Sequence, residues 1–345
     1  MRELEAGSWS WQLEAGRPHN ARMRIVITGG AGFLGRRLAE RLLARGVLRG
    51  ADGADHAIEQ ITLVDVSPPA SSTDSRIVPV AGDIGDPALL ARVIAAPTAS
   101  VFHLAAIVSG MAESDFDLGM RINVDATRLL LEACRHAGSR PRVVFASSVA
   151  VYGGDMPETV LDGTALNPQT SYGTQKAIAE LLVGDYTRKG FIDGRSVRLP
   201  TITVRPGKPN AAASSFASGI IREPLNGLDA ICPVDPDARM WVLSPSTAIE
   251  CLITAHDLAA DAFGFSRVVN LPGLSIGVGD MVAALERVAG REVASRVRWE
   301  RDPRIARMVA GWPGACDASR ARAMGFPGDD TFDEVIRSYI AHDLR

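Results

Sequence analysis

The stretch "RIVITGGAGFLG", residues 24–35, constrains the fold more than any other. An apolar run that reads as a strand ends at Thr28. Glycines follow at 29, 32 and 35, and "FLGRRLAERLLARG" (33–46) then reads as a helix. A strand, a glycine turn and a helix in this order let a pyrophosphate approach backbone N–H groups at the positive end of the helix. In a chain with 33 glycines the spacing alone arises by chance about 0.3 times, so a plain turn is the alternative. An acid closing the next apolar run, Asp65 in "ITLVD" (61–65), favours the cradle. Its carboxylate would accept from the adenosine ribose hydroxyls and repel a 2′-phosphate, so NAD is expected rather than NADP. The competing reading of Asp65 is a turn residue before "SPP".

The alternation continues. Strand-like runs at 76–80, 100–106 and 142–148 are separated by helix-like stretches at 87–96, 120–138 and 168–190. Near-continuous apolar strands alternating with helices predict an α/β fold: a doubly wound parallel sheet with helices on both faces. After about residue 200 the chain becomes rich in Pro, Gly and Asp. The expected division is therefore an N-terminal extension (1–22), a Rossmann domain (23–200) and a smaller substrate lobe (201–345), partly interleaved with late strands. The extension lacks a secretory core and reads as lying outside the fold, a short packed segment being the alternative.

Charge and cysteine usage narrow the function. With 37 basic and 40 acidic residues, no strong field favours nucleic acid or an anionic membrane. No apolar run approaches the roughly 18 residues of a membrane span. Cys134, Cys232, Cys251 and Cys316 lack metal-site spacing and read as reduced thiols of a cytoplasmic protein, with no metal expected. Small-molecule chemistry is the remaining expectation.

"SYGTQK" places Tyr172 and Lys176 four apart, on one helix face. The chain has three lysines (176, 189 and 208) against 34 arginines. A retained lysine suggests work that a planar guanidinium cannot do. Ser148 closes the run 142–148 at the carboxyl edge of the expected sheet, where α/β sites lie. Such a set can move a proton from an alcohol as hydride leaves for a nicotinamide. A nearby ammonium and an oxidised nicotinamide would hold the Tyr172 pKa below its usual value of roughly 10. Downstream, "RPGKPNAAASSFASGIIREP" (205–224) gathers Arg205, Lys208, Asn210, Ser214 and Ser215. These cations and hydroxyl partners suit a small polyol acid, although the stretch also reads as a loop pinning the lobe. Ser109 and Ser147 are weaker candidates. His103 reads as a packed core histidine, and Trp241, Trp299 and Trp312 as lobe packing.

"TGGAGFLG", "HLAA", "SSVAVYGG" and "SYGTQK", in this order, resemble the extended short-chain dehydrogenase/reductase family, over about residues 24–340. The resemblance implies Tyr172 as the proton-transfer residue, with Lys176 on the nicotinamide ribose and Ser148 on the substrate oxygen. It implies a pyrophosphate site at Gly29, Gly32, Phe33 and Leu34, and an adenosine site at Asp65, Asp83 and Ile84. Leu104, Ala105 and Ala106 would line the cofactor, with Asn123, Ser147 and Thr201 also on its side. A homodimer through the helices near 120–138 and 169–190 is implied too. Departures steer the reaction. Val149 and Ala150 stand where the family's dehydratases carry an acid pair, and Thr201 stands where its epimerases carry asparagine. Of a further epimerase run only Arg239 remains. Long runs instead resemble the family's sugar-acid dehydrogenases, which oxidise the C2 hydroxyl of a four-carbon acid with NAD. Arg205, Lys208 and Arg239 are then the candidate carboxylate binders. An epimerase with permanently bound NAD and a nucleotide sensor without catalysis remain as alternatives.

Overall fold

The computed structural model describes residues 23–67, 72–95, 97–207 and 213–344. The proposed extension (1–22), Lys208 and Asn210 lie outside the described residues.

In the first half the order is β1 (Met23–Thr28), α1 (Phe33–Arg45), β2 (Val47–Arg49), β3 (Asp55–Asp65), β4 (Ile77–Ala81), α2 (Pro87–Val93) and β5 (Ser100–His103). Short helices α3 (Ser109–Ser114) and α4 (Phe116–Gly119) lead through a π-helical turn, Met120–Asp125, into α5 (Ala126–Ala137). Then come β6 (Arg142–Ser148), α6 (Ser171–Arg188) and β7 (Asp193–Leu199). The second half runs β8 (Thr201–Ile202), α7 (Ser215–Leu225), β9 (Ala230–Cys232), β10 (Arg239–Leu243), α8 (Pro245–Asp257), β11 (Val268–Asn270) and β12 (Leu274–Gly277). It ends with α9 (Val278–Ala289), α10 (Arg291–Ala294), β13 (Val297–Trp299), α11 (Pro303–Ala310), α12 (Ser319–Ala323) and α13 (Phe332–His342).

The main sheet has strand order β4-β3-β1-β5-β6-β7-β11, every pair parallel, with β2 antiparallel to the start of β3. The doubly wound fold expected from the alternation is the one observed. The period of two along β1 explains its central place. Ile25 and Ile27 pack with Leu38 and Leu42 of α1 and Leu252 of α8. Val26 points the other way, among Leu90 of α2, Leu130 of α5 and Val183 of α6. Each such side chain contributes about 1.5–3 kcal/mol on burial. α8 and β11 join this first core although they follow residue 200, so the chain leaves the sheet, builds part of the lobe and returns. A separate core with Val204, Ile220, Met281 and Ile336 holds α7, α9 and α13 together.

Two helix starts depart from the sequence reading. The helix expected over 168–190 begins at Ser171, because Pro168 precedes a Thr170 cap whose hydroxyl accepts from the Gly173 N–H at 3.1 Å. The helix expected over 120–138 opens as the π turn. Among the described residues no helix is long and apolar enough to cross a membrane.

Candidate active site

The strand order reverses between β1 and β5, and both candidate cavities open near the carboxyl ends of the strands. The glycine loop is compressed there. Gly29 has φ +72°, and a Cβ on it would lie 2.9 Å from the Ala105 nitrogen. A Cβ on Gly35 would meet the Gly29 carbonyl oxygen and come within 2.9 Å of Gly30 Cα. Gly32 caps α1 with no side-chain hydrogen bond, and the first turn holds no acid. The orphan N–H groups and the positive end of the helix therefore face outward unopposed. Asp65 is fixed beside them, accepting from Ala31 N and Ser67 N, each at 3.1 Å.

A groove of about 650 Å³ runs from this loop across the sheet edge. Gly29, Gly32, Phe33, Leu34, Asp65, Asp83, Ile84 and Leu104 to Ala106 all line it, and Tyr172 and Lys176 close its far end. Cradle, bare helix end and ribose-side carboxylate fit a dinucleotide. Three residues assigned to the cofactor side stand elsewhere. Ser147 and Thr201 line the neighbouring cavity. Asn123 is buried in the π turn, accepting from Ile107 N at 2.8 Å and donating to Ile107 O (3.1 Å) and Gln175 Oε1 (2.7 Å). It fixes the backbone that borders the groove. Asp83, expected to meet the adenine amino group, already accepts from Gly85 N at 2.7 Å and Arg121 at 2.6 Å. Arg121 and Arg222 also line the groove, and sequence reasoning passed over both.

Packing at one glycine brings the candidate catalytic side chains together. A Cβ on Gly173 would strike the Ala150 carbonyl. Its absence lets α6 settle on the turn after β6, where Tyr172 and Ser148 share a hydrogen bond. Ser148 also accepts from Ala150 N at 3.1 Å. Lys176 is buried, donates to Ala146 O at 2.8 Å, and lies 4.6 Å from the Phe145 ring centre and 5.7 Å from that of Tyr172.

The Tyr172 phenol is not held low by the protein alone. Burial pushes it up to about 12, against the Ser148 hydrogen bond and the Arg205 charge. Burial also brings Lys176 down to about 7, with Glu180 opposing. His103 is the packed histidine expected. It bridges Thr28 (2.7 Å) and Thr127 (2.9 Å), and burial together with the Lys176 charge holds it near 3, so it stays neutral.

Beside the groove lies a smaller cavity of about 190 Å³, lined by Ser109, Ser148, Tyr172, Thr201, Arg205 and Ser214 among others. Arg205 faces both cavities. Burial and neighbouring Arg222 lower its pKa, Tyr172 opposes, and no carboxylate pairs with it among the described residues. Arg239 is exposed instead, donates to Ser275 Oγ at 3.1 Å, and borders neither cavity. Trp241 and Trp312, read as lobe packing, also wall the smaller cavity, together with Glu113 and Met308. Residue type alone does not distinguish packing from lining.

Residues 25–242 match the profile of the NAD dependent epimerase/dehydratase family. The chain is 59% identical over 318 residues to a D-erythronate dehydrogenase of Cupriavidus necator, covering 92% of this chain and 98% of that one. It is 46% identical to a D-erythronate dehydrogenase of Haemophilus influenzae, covering 93% and 100%. A crystal structure from Agrobacterium tumefaciens, described as a nucleoside-diphosphate-sugar epimerase, superposes with a TM-score of 0.89. It is 43% identical, with 96% and 98% of the two chains covered.

Proposed function

The chain belongs to the NAD-dependent epimerase/dehydratase family, and on that premise we propose that it oxidises the C2 hydroxyl of D-erythronate or a close four-carbon sugar acid to the 2-oxo acid. It is an NAD-dependent oxidoreductase. The observation that carries the substrate assignment is the Arg205 guanidinium, unpaired by any acid among the described residues and placed between the two cavities beside Tyr172. A half-buried cation without a counter-ion among the described residues calls for an anionic ligand, and a carboxylate matches its fork. The cavity volume, about 190 Å³, falls below the roughly 300–1,000 Å³ of drug-sized sites and suits a small acid rather than a sugar nucleotide.

Gly29, Gly32, Phe33 and Leu34 would hold the pyrophosphate, Asp65 the adenosine ribose, and Lys176 the nicotinamide ribose. When bound, NAD supplies the acceptor for the hydride that leaves C2. Tyr172, once ionised beside the Lys176 ammonium and the positive charge that an oxidised nicotinamide would bring, takes the proton of the C2 hydroxyl, so that the C–H and O–H bonds break as the carbonyl forms. Ser148, already hydrogen-bonded to Tyr172, orients the substrate oxygen. Arg205 fixes the carboxylate and thereby the face that C2 presents. Val149 and Ala150 offer no proton to a leaving hydroxyl, which disfavours elimination.

The protein would act as a homodimer. Leu181 of α6 is 70% exposed and Phe116 of α4 is 59% exposed, an apolar surface that a second copy would cover. A light-scattering mass at monomer size would contradict this. The same reading places it in the cytoplasm, where its four free, buried cysteines stay reduced.

The direct test is NADH formation from a panel of sugar acids. D-Erythronate or a near relative should reduce NAD, and NADP should serve far less well. If no sugar acid reduces NAD and a UDP-sugar protects the protein thermally, the epimerase reading replaces this one.

A further inference from the structure

Three consecutive residues at the end of β6 each hold one of three α6 residues spaced four apart. Ser148 meets Tyr172, and Ala146 O accepts from Lys176. Between them in sequence, Ser147 Oγ donates to Glu180 Oε1 at 2.5 Å. Ser147 lines the smaller cavity, yet its hydroxyl is spent on this contact. Glu180 is 3% exposed. Its other contacts come from Arg198 of β7, which donates through Nε to Oε1 at 2.9 Å and through Nη2 to Oε2 at 2.7 Å. Arg198 also donates to Tyr152 Oη at 2.5 Å, and Tyr152 donates to Asn270 Oδ1 of β11 at 3.0 Å. The carboxylate is thus gripped from two neighbouring strands, and the guanidinium is anchored at the third.

Such an arrangement is a poor way to gain stability. A buried ion pair roughly balances its desolvation cost, and apolar side chains of equal volume serve as well or better. What it supplies is direction. A bidentate guanidinium and a serine accept one carboxylate geometry, and that geometry fixes the rotation of α6 about its axis.

We propose that Glu180, clamped by Arg198, is a positioning residue for the Tyr172–Lys176 pair: it sets the register of α6 against the end of β6 and holds a compensated negative charge one turn from the Lys176 ammonium. The proposal takes Tyr172 and Lys176 as the reacting pair read above. The titratable or charged groups acting on Lys176 are Tyr172 and Glu180 from α6 and His103 from β5, with Arg198 of β7 behind Glu180. Glu180 favours the ammonium against burial, whereas Arg198 tempers that attraction. Removing the two charges should therefore move Lys176 in opposite directions.

With three lysines in the chain, [13C]lysine labelling gives a spectrum simple enough to follow Lys176 through a pH titration of the intact protein. In Glu180→Gln the Lys176 titration should move acid-ward by about one pH unit. In Arg198→Gln it should move alkaline. Glu180→Gln should also lower kcat about tenfold or more while NAD affinity, measured by calorimetry, stays within twofold. Glu180→Asp, which keeps the charge but shortens the reach, should restore the titration and leave kcat low. If Arg198→Gln fails to fold, the two Glu180 variants decide the matter. An unmoved Lys176 titration in Glu180→Gln, or movement of both charge variants in the same direction, overturns the proposal. If Lys176 moves as expected but no variant, nor the native protein, oxidises a sugar acid, the fault lies in the substrate reading and the clamp stands.

Discussion

Replacing Gly173 by alanine should separate catalysis from folding more cleanly than removing a reacting group. A Cβ there would lie 3.0 Å from the Ala150 carbonyl carbon and 2.9 Å from Pro168 Cβ, where ordinary contact begins at 3.4 Å. The carbonyl oxygen projects a further ~1.2 Å along its bond toward the new atom. Relieving that contact requires α6 to retreat by more than about an ångström. Tyr172 precedes Gly173 and travels with it, whereas Ser148 stays on β6. A misplacement of about 1 Å between reacting groups costs on the order of a hundredfold in rate, or about 2.7 kcal/mol of barrier. The effect on stability should be smaller. Overpacking costs about 1–3 kcal/mol, and the better helix propensity of alanine returns up to about 1. Gly184, on the same helix, faces open space. Gly184→Ala should therefore stabilise by about 0.5–1 kcal/mol and leave kcat unchanged. The assay pairs NADH formation with urea denaturation for both variants. If Gly173→Ala keeps more than half of native kcat while folded, the contact does not set the Tyr172–Ser148 geometry.

Tyr172→Phe should lose at least about a hundredfold in turnover while calorimetric NAD affinity is kept, and Lys176→Arg should fail for want of a compact ammonium. Asp65→Ala should weaken NAD and narrow the preference over NADP, measured as the ratio of the two Kd values; an unchanged ratio would exonerate Asp65. Arg205→Met should raise KM for the sugar acid by the equivalent of about 2–5 kcal/mol, because it strands a carboxylate, and NAD affinity should change far less. Stability should also follow pH. Native Lys176 sheds its proton near 7 and an unfolded lysine near 10.5, so between these values the unfolded chain holds the extra proton and Lys176 contributes a rise in stability with pH. Urea midpoints for native protein and Lys176→Met should diverge across that window; parallel curves would mean that Lys176 is not depressed.

Much of the nucleotide half was legible because its signals are local. The run 142–148 coincides with β6, since the six apolar and small residues after Arg142 fit a central strand flanked on both sides. Tyr172 and Lys176 could be paired from spacing alone, because a helix places residues four apart on one face. The surroundings of Ser147 and Asn123 were not legible for the opposite reason. Whether a buried hydroxyl or amide serves the ligand or the scaffold depends on partners distant in sequence, Glu180 for one and Ile107 for the other. Arg239 shows the same limit. Its type suited a carboxylate, but from the first position of β10 it reaches Ser275 of the neighbouring strand. Trp312 and Met308 were unreadable as cavity walls because the lobe reaches the sheet by tertiary packing, which no period of two or 3.6 records.

Val108, Tyr172, Ile202 and Arg205 face both cavities. On the proposed reading, a change at any of them would be felt by cofactor and acid together, so neither could be adjusted without testing the other. Met308, Trp312 and Pro313 border the smaller cavity and not the groove, and they belong to α11 and the segment after it, beyond the last strand of the main sheet. On the proposed reading, substitutions in this short stretch should shift the preference among acids and leave NAD affinity unchanged. Met308, Trp312 and Pro313 are therefore among the positions, with Ser109, Ser214 and Trp241, where a change of acid would leave the dinucleotide groove untouched.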